Sequence, residues 1–292
     1  MRILSLLAFA LASPFVSPGP ALAAPPQVVA AENFYGDVAR QIAGDKATVV
    51  DVIARPDQDP HDFEPTAQTA RDVAGARIVV LNGAGYDGWM DKLLHAQKAA
   101  GRRVIDVAAL TGKKAGDNPH LWYNPATMKI VAAALSLALT DADPAHRADY
   151  QASYDVFAVS LRPIEDKIKA MRAKYSGVAI AATEPVFGYM ADLIGLATRE
   201  KEFALAVMND SEPSPSQVAA FENDLKGRKV RALIVNAQAT SPSVKRLRNI
   251  AQEIGMPVVA VSETEPADTP YQKWMLLQLE ALDKALGESA AK

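Results

Sequence analysis

The feature that most constrains this fold is a regular alternation of short β-branched runs with longer amphipathic stretches. The runs that we interpret as strands are 27–31, 48–53, 77–81, 103–107, 178–182, 232–235 and 257–261. The stretches that we interpret as helices are 33–43, 87–100, 125–139, 186–194, 214–226, 241–254 and 270–286. Glycine follows some of the helical stretches directly, as at Gly44 and Gly195, where a helix commonly ends. Strands that alternate with helices predict parallel sheets with helices on their faces.

A long charged segment, 143–174, separates the two alternating halves and contains no glycine. Pro144 suits a first helical turn, whereas Pro163 should kink or interrupt a helix. We interpret the segment as one long connecting helix, and two ordinary helices that meet near Pro163 are the alternative. The expected fold class is therefore α/β, with two parallel-sheet domains at 24–142 and 176–292 joined by this helix.

Length and composition fit that architecture and exclude some functions. The 292 residues are enough for two domains with separate cores, and the chain is 49% apolar and 22% charged, as folded proteins are. The formal net charge is -3 and no basic run occurs. Nucleic acid is therefore not an expected partner.

The first residues have the pattern of an export signal. Arg2 gives a positive start, 3–12 is an apolar run, and a small-x-small pattern ends at Ala23. Cleavage after Ala23 or Ala24 would remove the segment, so we predict a signal peptide at 1–23. The apolar run is too short to span a bilayer, and we expect no later segment to be apolar enough to do so.

The chain contains no cysteine. No disulfide can therefore stabilise the fold, and no lipid can be attached through an N-terminal cysteine. If the host has two membranes, the expected compartment is the periplasm.

Two of the four histidines follow a proline in separate polar loops, as Asp59-Pro60-His61 and Asn118-Pro119-His120. A neutral imidazole on a rigid loop is a good ligand for a divalent metal. Taken singly, a loop histidine is more often exposed than bound to metal, and we expect His95 and His146 to lie on the surface. The matched pair favours His61 and His120 as ligands.

Carboxylates that follow predicted strands of the second half could complete such a site. Glu184 follows the strand that ends at 182, and Glu263 and Glu265 follow the strand that ends at 261. Ligands of open α/β sheets bind beyond the carboxyl ends of the strands, so these loops could face the histidine loops across an interdomain cleft. Two neutral imidazoles and two carboxylates add a charge of about -2, which balances a divalent cation. As alternatives, Glu184 could serve a helix N-terminus, and the other two could be surface acids.

Several segments together resemble the metal-binding branch of periplasmic ABC-transporter solute-binding proteins, the zinc, manganese and iron receptors. The segments that carry the resemblance are 59–66 (DPHDFEPT), 79–86 (VVLNGAGY) with Trp89, 118–125 (NPHLWYNP), 183–189 (TEPVFGY) and 211–214 (SEPS). The resemblance implies two α/β domains, a rigid connecting helix, one metal in the cleft, and delivery of that metal to an ABC importer permease in the inner membrane. The ligands that it implies are His61, His120, Glu184 and Glu263, and Glu265 is the rival for the last position.

Two departures from the family pattern bear on the metal. Zinc members often carry a His-rich acidic loop between the first two ligands, and here 111–117 is short and lacks histidine. Two carboxylates favour harder ions such as manganese or ferrous iron, although zinc has the higher intrinsic affinity for most such sites. Manganese or iron is therefore favoured as the single bound divalent ion, and zinc stays possible.

Three other functions are alternatives to a monomeric metal receptor. A metal-dependent hydrolase needs an open coordination position, and neither a His-Glu-x-x-His nor a Gly-x-Ser-x-Gly pattern is present. A chelate receptor needs a wide aromatic or cationic cleft, yet aromatic residues are only 7% of the chain. A surface adhesin of the same fold is the third alternative. Trp89, Trp122 and Trp274 are interpreted as packing residues.

Overall fold

The computed structural model describes residues 24–56, 58, 60, 63–209, 211–239 and 241–290, with side chains up to residue 288. The predicted signal peptide at 1–23 and the predicted ligand His61 lie outside the described residues.

Four parallel strands form a first sheet. They are β1 (Gln27–Glu32), β2 (Thr48–Ile53), β3 (Ile78–Leu81) and β4 (Arg103–Asp106), in the order β2-β1-β3-β4. Val29 pairs with Val50 on one side and with Val79 on the other, so β1 is covered on both edges. Such a strand is also buried on both faces, which explains its continuous apolar run.

A second parallel sheet repeats this arrangement. Its strands are β5 (Ala179–Ala182), β6 (Ala197–Arg199), β7 (Leu233–Asn236) and β8 (Val258–Val261), in the order β6-β5-β7-β8. The two sheets confirm the predicted α/β class, and we call the two parts the N-lobe and the C-lobe.

Twelve α-helices surround the sheets in the part of the chain that the structure describes. They are α1 (Asn33–Ala43), α2 (Ala67–Gly75), α3 (Gly88–Ala96), α4 (Val107–Leu110), α5 (Pro125–Ala142), α6 (Arg147–Ser160), α7 (Arg162–Tyr175), α8 (Gly188–Ile194), α9 (Lys201–Met208), α10 (Pro215–Lys226), α11 (Pro242–Glu253) and α12 (Tyr271–Ala290).

Local sequence explains where many of these helices begin and end. Ser214 accepts a hydrogen bond from the backbone of Gln217, and the Gln217 side chain accepts one from the Ser214 backbone, which forms a capping box at the start of α10. Ser241 caps α11 in the same position. Gly195 ends α8 with a left-handed φ of 80°, a conformation that suits glycine.

The connecting segment is helical from Arg147 to Tyr175 and is interrupted only at Leu161. Leu161 itself keeps right-handed helical angles, φ -77° and ψ -16°. Pro163 follows within the first turn of α7, where a missing backbone N–H is tolerated. The long connecting helix is thus confirmed. Its single interruption lies beside Pro163, where the sequence predicted a kink or a break.

The sequence prediction missed four short elements and overran one helix. The missed elements are α2, α4, β6 and α9, and α3 ends at Ala96 instead of residue 100. The strand β6 is three residues long and half exposed, so it carries no apolar run. The helix α2 buries only Thr69 and Val73, which is too few residues for a clear helical period.

One expectation about membrane spans is wrong. Among the described helices, α5 is long and apolar enough to cross a membrane by length and composition. Half of α5 is buried within the fold, including Leu135 and Leu139. Leucine and alanine on several faces of a core helix produce the same composition as a membrane span.

The two lobes share one hydrophobic core, which α12 helps to close. Trp122 of the N-lobe is fully buried and stacks on Phe34 with ring centroids 4.4 Å apart. The Tyr271 hydroxyl of α12 donates to the Trp122 carbonyl oxygen at 2.7 Å. Trp274 lies in the same aromatic cluster, 6.1 Å from Phe34. These contacts fix the lobes against each other at the base of the cleft.

Candidate metal centre

The ends of three neighbouring C-lobe strands provide the polar side chains on that side of the cleft. Glu184 lies two residues after β5, Asn236 is the last residue of β7, and Glu263 lies two residues after β8. Because β7 pairs with β5 on one edge and β8 on the other, Asn236 lies between the two glutamates. The carboxyl ends of parallel strands meet at one edge, so the C-lobe ligand candidates come together there.

His120 is fully buried at the start of a short 3₁₀ turn, Leu121–Tyr123, on the N-lobe side. Its Nδ1 lies 2.6 Å from Oδ1 of Asn118, and its backbone N–H donates to the same oxygen at 3.1 Å. An amide oxygen only accepts, so Nδ1 of His120 carries a proton, and in the neutral imidazole Nε2 then carries the lone pair. Nε2 has no hydrogen-bond partner among the described residues. A buried imidazole in this tautomer is suited to bind a metal through Nε2.

The orientation of the Asn118 amide is fixed by a contact across the cleft. Its Nδ2 donates to the carbonyl oxygen of Pro185 at 2.8 Å, so Oδ1 must face His120. The Tyr189 hydroxyl donates to the Asn118 carbonyl oxygen at 2.7 Å. Asn118 therefore both selects the His120 tautomer and joins the His120 loop to the loop that carries Glu184.

A buried asparagine at the end of the corresponding N-lobe strand supports the same loop. Asn82 follows β3 and donates through Nδ2 to the Pro119 carbonyl oxygen at 2.9 Å. Its Oδ1 accepts from the Tyr35 hydroxyl at 2.7 Å. These bonds hold the backbone of Pro119, the residue that precedes His120.

Glu263 is fully buried beside His120. Its Oε2 lies 3.5 Å from Nε2 of His120 and accepts from the Tyr86 hydroxyl at 2.7 Å. Its Oε1 accepts from Nδ2 of Asn236 at 2.7 Å. The carboxylate is thus oriented towards the imidazole by donors from both lobes.

Tyr86 reaches Glu263 because of the tight turn that precedes it. The Asp87 carboxylate accepts from the backbone N–H groups of Asn82 and Gly83 at 2.6 and 2.8 Å. Burial raises the pKa of Asp87 to about 7. Gly83 has a left-handed φ of 72°, and a Cβ there would lie 2.4 Å from the Asp106 carboxylate, so glycine is required.

Glu184 lies on the other side of Asn236. Its side chain is 6% exposed, and its Oε2 accepts from Nδ2 of Asn236 at 2.8 Å. The structure therefore joins Glu184 and Glu263 through hydrogen bonds to Asn236 and places His120 beside Glu263. Within the described ranges, no three acidic or histidine side chains approach closely enough to enclose a metal ion.

Glu265, the rival candidate, lies in another environment. Its backbone N–H donates to Oδ1 of Asn33 at 3.0 Å, and its carbonyl oxygen accepts from Nδ2 of Asn33 at 2.8 Å. Burial, together with the nearby Asp37 carboxylate, raises the pKa of Glu265 to about 9. Its carboxylate makes no hydrogen bond to His120 or to the other two glutamates within the part of the chain that the structure describes.

His61 lies outside the described residues, but described residues on either side of it contact both lobes. Thr264 donates through its hydroxyl to the Pro56 carbonyl oxygen at 2.9 Å, and Gln238 donates through Nε2 to that of Gln58 at 2.9 Å. Phe63 packs on Trp89 with ring centroids 4.6 Å apart. His61 as a ligand stays a prediction.

The other two histidines are outside this network, as the sequence predicted. His95 is exposed on α3. His146 is partly exposed, and its Nδ1 lies 2.6 Å from the Asp143 carboxylate.

Sequence reasoning missed the residues that orient the candidate ligands. Asn118 and Tyr86 lie inside segments that carry the family resemblance, and Asn236 directly follows the predicted strand 232–235. A polar residue directly after a buried strand run was the available signal for Asn82 and Asn236.

Comparison with known proteins adds a family to this geometry. The sequence profile of the family described as zinc-uptake complex component A, periplasmic, matches residues 28–285. The chain is 24% identical over 277 residues to the iron ABC transporter substrate-binding lipoprotein MtsA of Streptococcus pyogenes serotype M1, with 86% of each chain covered. It is 22% identical over 286 residues to the manganese ABC transporter substrate-binding lipoprotein PsaA of Streptococcus mitis, with 90% of this chain and 89% of the relative covered.

A solved structure gives the same fold. The SBP FpvC from Pseudomonas aeruginosa in complex with Mn2+ superposes with a TM-score of 0.75 at 23% identity, over 90% of this chain and 99% of that one. The likeness confirms the architecture of two lobes joined by a helix.

Proposed function

Since the chain belongs to the zinc-uptake component A family of solute-binding transport proteins, which are not enzymes, we propose that it captures one divalent transition metal ion and delivers it to an ABC importer. Binding is reversible, and the ion is cargo that leaves without chemical change.

A single observation supports this function most strongly, namely the state of His120 at the cleft. The imidazole is fully buried, its Nε2 has no hydrogen-bond partner among the described residues, and that atom lies 3.5 Å from an oxygen of the fully buried Glu263 carboxylate. A buried acceptor without a partner is unfavourable by about 1–3 kcal/mol unless something binds it. A metal ion would bind both groups at once, so the proposed ligands are His120, Glu263, Glu184 and, from the sequence, His61.

The donor set bears on which metal is carried. Two carboxylates and two imidazoles give oxygen and nitrogen ligands in equal number, and the oxygens favour manganese or ferrous iron. The two compared relatives are named for iron and for manganese, whereas the family profile is named for zinc. We therefore propose manganese or iron as the physiological cargo, with zinc as a tight competitor.

The proposed setting is the periplasm, reached through the signal at 1–23, with a permease of the inner membrane as partner. The two curated relatives are named lipoproteins, and this chain has no cysteine to which a lipid could be attached. We propose a monomer with domains at 24–142 and 176–292, released unanchored after cleavage.

Elemental analysis of the protein purified without added metal tests this function. We expect about one divalent transition metal ion per chain, with manganese, iron and zinc competing for the same site. His120→Ala and Glu184→Ala should each lose the metal, whereas the control His95→Ala, on the surface of α3, should retain it. Metal content that is equal in all four proteins would refute the proposed site.

A further inference from the structure

Asn236 contacts both candidate carboxylates with one nitrogen atom. Its Nδ2 donates to Oε2 of Glu184 at 2.8 Å and to Oε1 of Glu263 at 2.7 Å. A side-chain amide has two N–H hydrogens on one planar nitrogen, so both are used and they point in fixed directions.

The direction of this amide is itself fixed. The backbone N–H of Gln238 donates to Oδ1 of Asn236 at 3.0 Å, so a rotated amide would lose all three hydrogen bonds. Asn236 is 4% exposed, which excludes water as a ready replacement. The neighbouring side chain of Gln238 accepts from the backbone N–H of Glu263 at 2.7 Å. Asn236 therefore holds the side chain of Glu263, and Gln238 holds its backbone.

Two carboxylates in a buried site repel each other, and this repulsion is strong where the local dielectric constant is low. A donor shared between them offsets part of the repulsion without adding a charge that would repel a cation. It also fixes which oxygen of each carboxylate faces inward. An aspartate of the same shape could not donate, and a lysine would add a positive charge.

From this geometry we propose that Asn236 is a positioning residue that sets the spacing and orientation of the Glu184 and Glu263 carboxylates, and thereby the selection among divalent metals. The inference rests on the proposed function, because it assumes that both glutamates bind the ion. Partners that orient metal ligands typically change metal affinity by about 10–100-fold when they are removed.

The alternative is that Asn236 only fills a buried polar position. In that case its loss would lower the stability of the protein and would lower the affinity for every metal to the same degree. A positioning role instead affects metals unequally, because a hard ion such as manganese depends more on the carboxylates than zinc does.

The test compares Asn236→Leu with the wild type by calorimetric titration of metal-free protein with manganese and with zinc. We expect manganese affinity to fall about 10–100-fold and zinc affinity to fall less, so that the ratio of manganese to zinc affinity decreases. Asn236→Ala is the second variant in case the leucine does not fold. The control is Thr69→Val, a buried N-lobe substitution that removes a capping side chain of α2 and touches neither glutamate.

The outcomes are distinct. Unchanged affinities in the Asn236 variants, or equal losses for both metals, would overturn the positioning role while leaving the proposed function intact. A wild-type protein that binds neither metal would overturn the proposed function and this inference with it.

Discussion

Glu32 is a carboxyl group whose burial should make the stability of this protein depend on pH. It ends β1 with no exposed surface, and neither carboxyl oxygen has a hydrogen-bond partner among the described residues. Burial raises the pKa of Glu32 well above its usual value of 4.5, and the nearby Asp87 raises it further. The folded protein therefore keeps a proton that the unfolded chain loses above pH 4.5.

The sign and size of the effect follow from this difference in bound protons. Where the folded state holds more protons than the unfolded state, the free energy of unfolding falls as pH rises, by about 1.4 kcal/mol per pH unit for one proton. The stabilisation is fully present below the unfolded pKa and is lost as pH rises towards the folded pKa. Between pH 5 and pH 8, Glu32 alone can lower the stability by up to about 4 kcal/mol.

Glu32→Gln keeps the shape of the side chain and removes the ionisable group. We expect the variant to be more stable than the wild type at pH 8, with a difference that shrinks towards pH 5. Urea denaturation of both proteins at pH 5, 6, 7 and 8 measures the difference at each pH. Glu265 gives a slope of the same sign in both proteins and cancels in the comparison, so the difference reports Glu32 together with its interaction with Asp87. Parallel curves over this range would contradict a raised pKa of Glu32 in the folded protein.

Three further substitutions test the site. Asn118→Leu removes the hydrogen bond that fixes the His120 tautomer and should lower metal affinity about 10–100-fold in titration calorimetry. An unchanged affinity would show that His120 binds metal without this hydrogen bond. Glu265→Gln should leave metal affinity unchanged, because the Glu265 carboxyl group lies near Asp37 and makes no hydrogen bond to His120 among the described residues. Loss of binding would make Glu265 the ligand in place of Glu263. Glu184→His adds an imidazole, which suits zinc, and should raise zinc affinity relative to manganese in competition experiments.

Much of the fold could be predicted because its strands are buried. β1 pairs on both edges, so it appears in the sequence as a continuous apolar run with a clear end at the following helix. The half-exposed strand β6 carries no such run, and only its pairing with β5 makes it a strand. Short, partly exposed elements depend on tertiary contacts that the sequence pattern does not show.

The candidate site could be predicted in part for a similar reason. Glu184 and His120 lie in segments with a proline and a recognisable motif. Glu263 and Glu265 lie two residues apart in one loop, and no period distinguishes them. The two residues differ in their tertiary contacts. Asn33 holds the backbone of Glu265, and Asn236 holds the side chain of Glu263. Hydrogen bonds between residues more than 25 positions apart are not readable from local sequence.

The position of a bound metal would show which side chains are its ligands. Crystals of the mature protein grown with manganese would give an anomalous scattering map of the ion. We predict one strong peak in the cleft, in contact with Nε2 of His120 and with carboxylate oxygens of Glu184 and Glu263. A peak that contacts none of these three side chains, or no peak in protein saturated with manganese, would contradict the account.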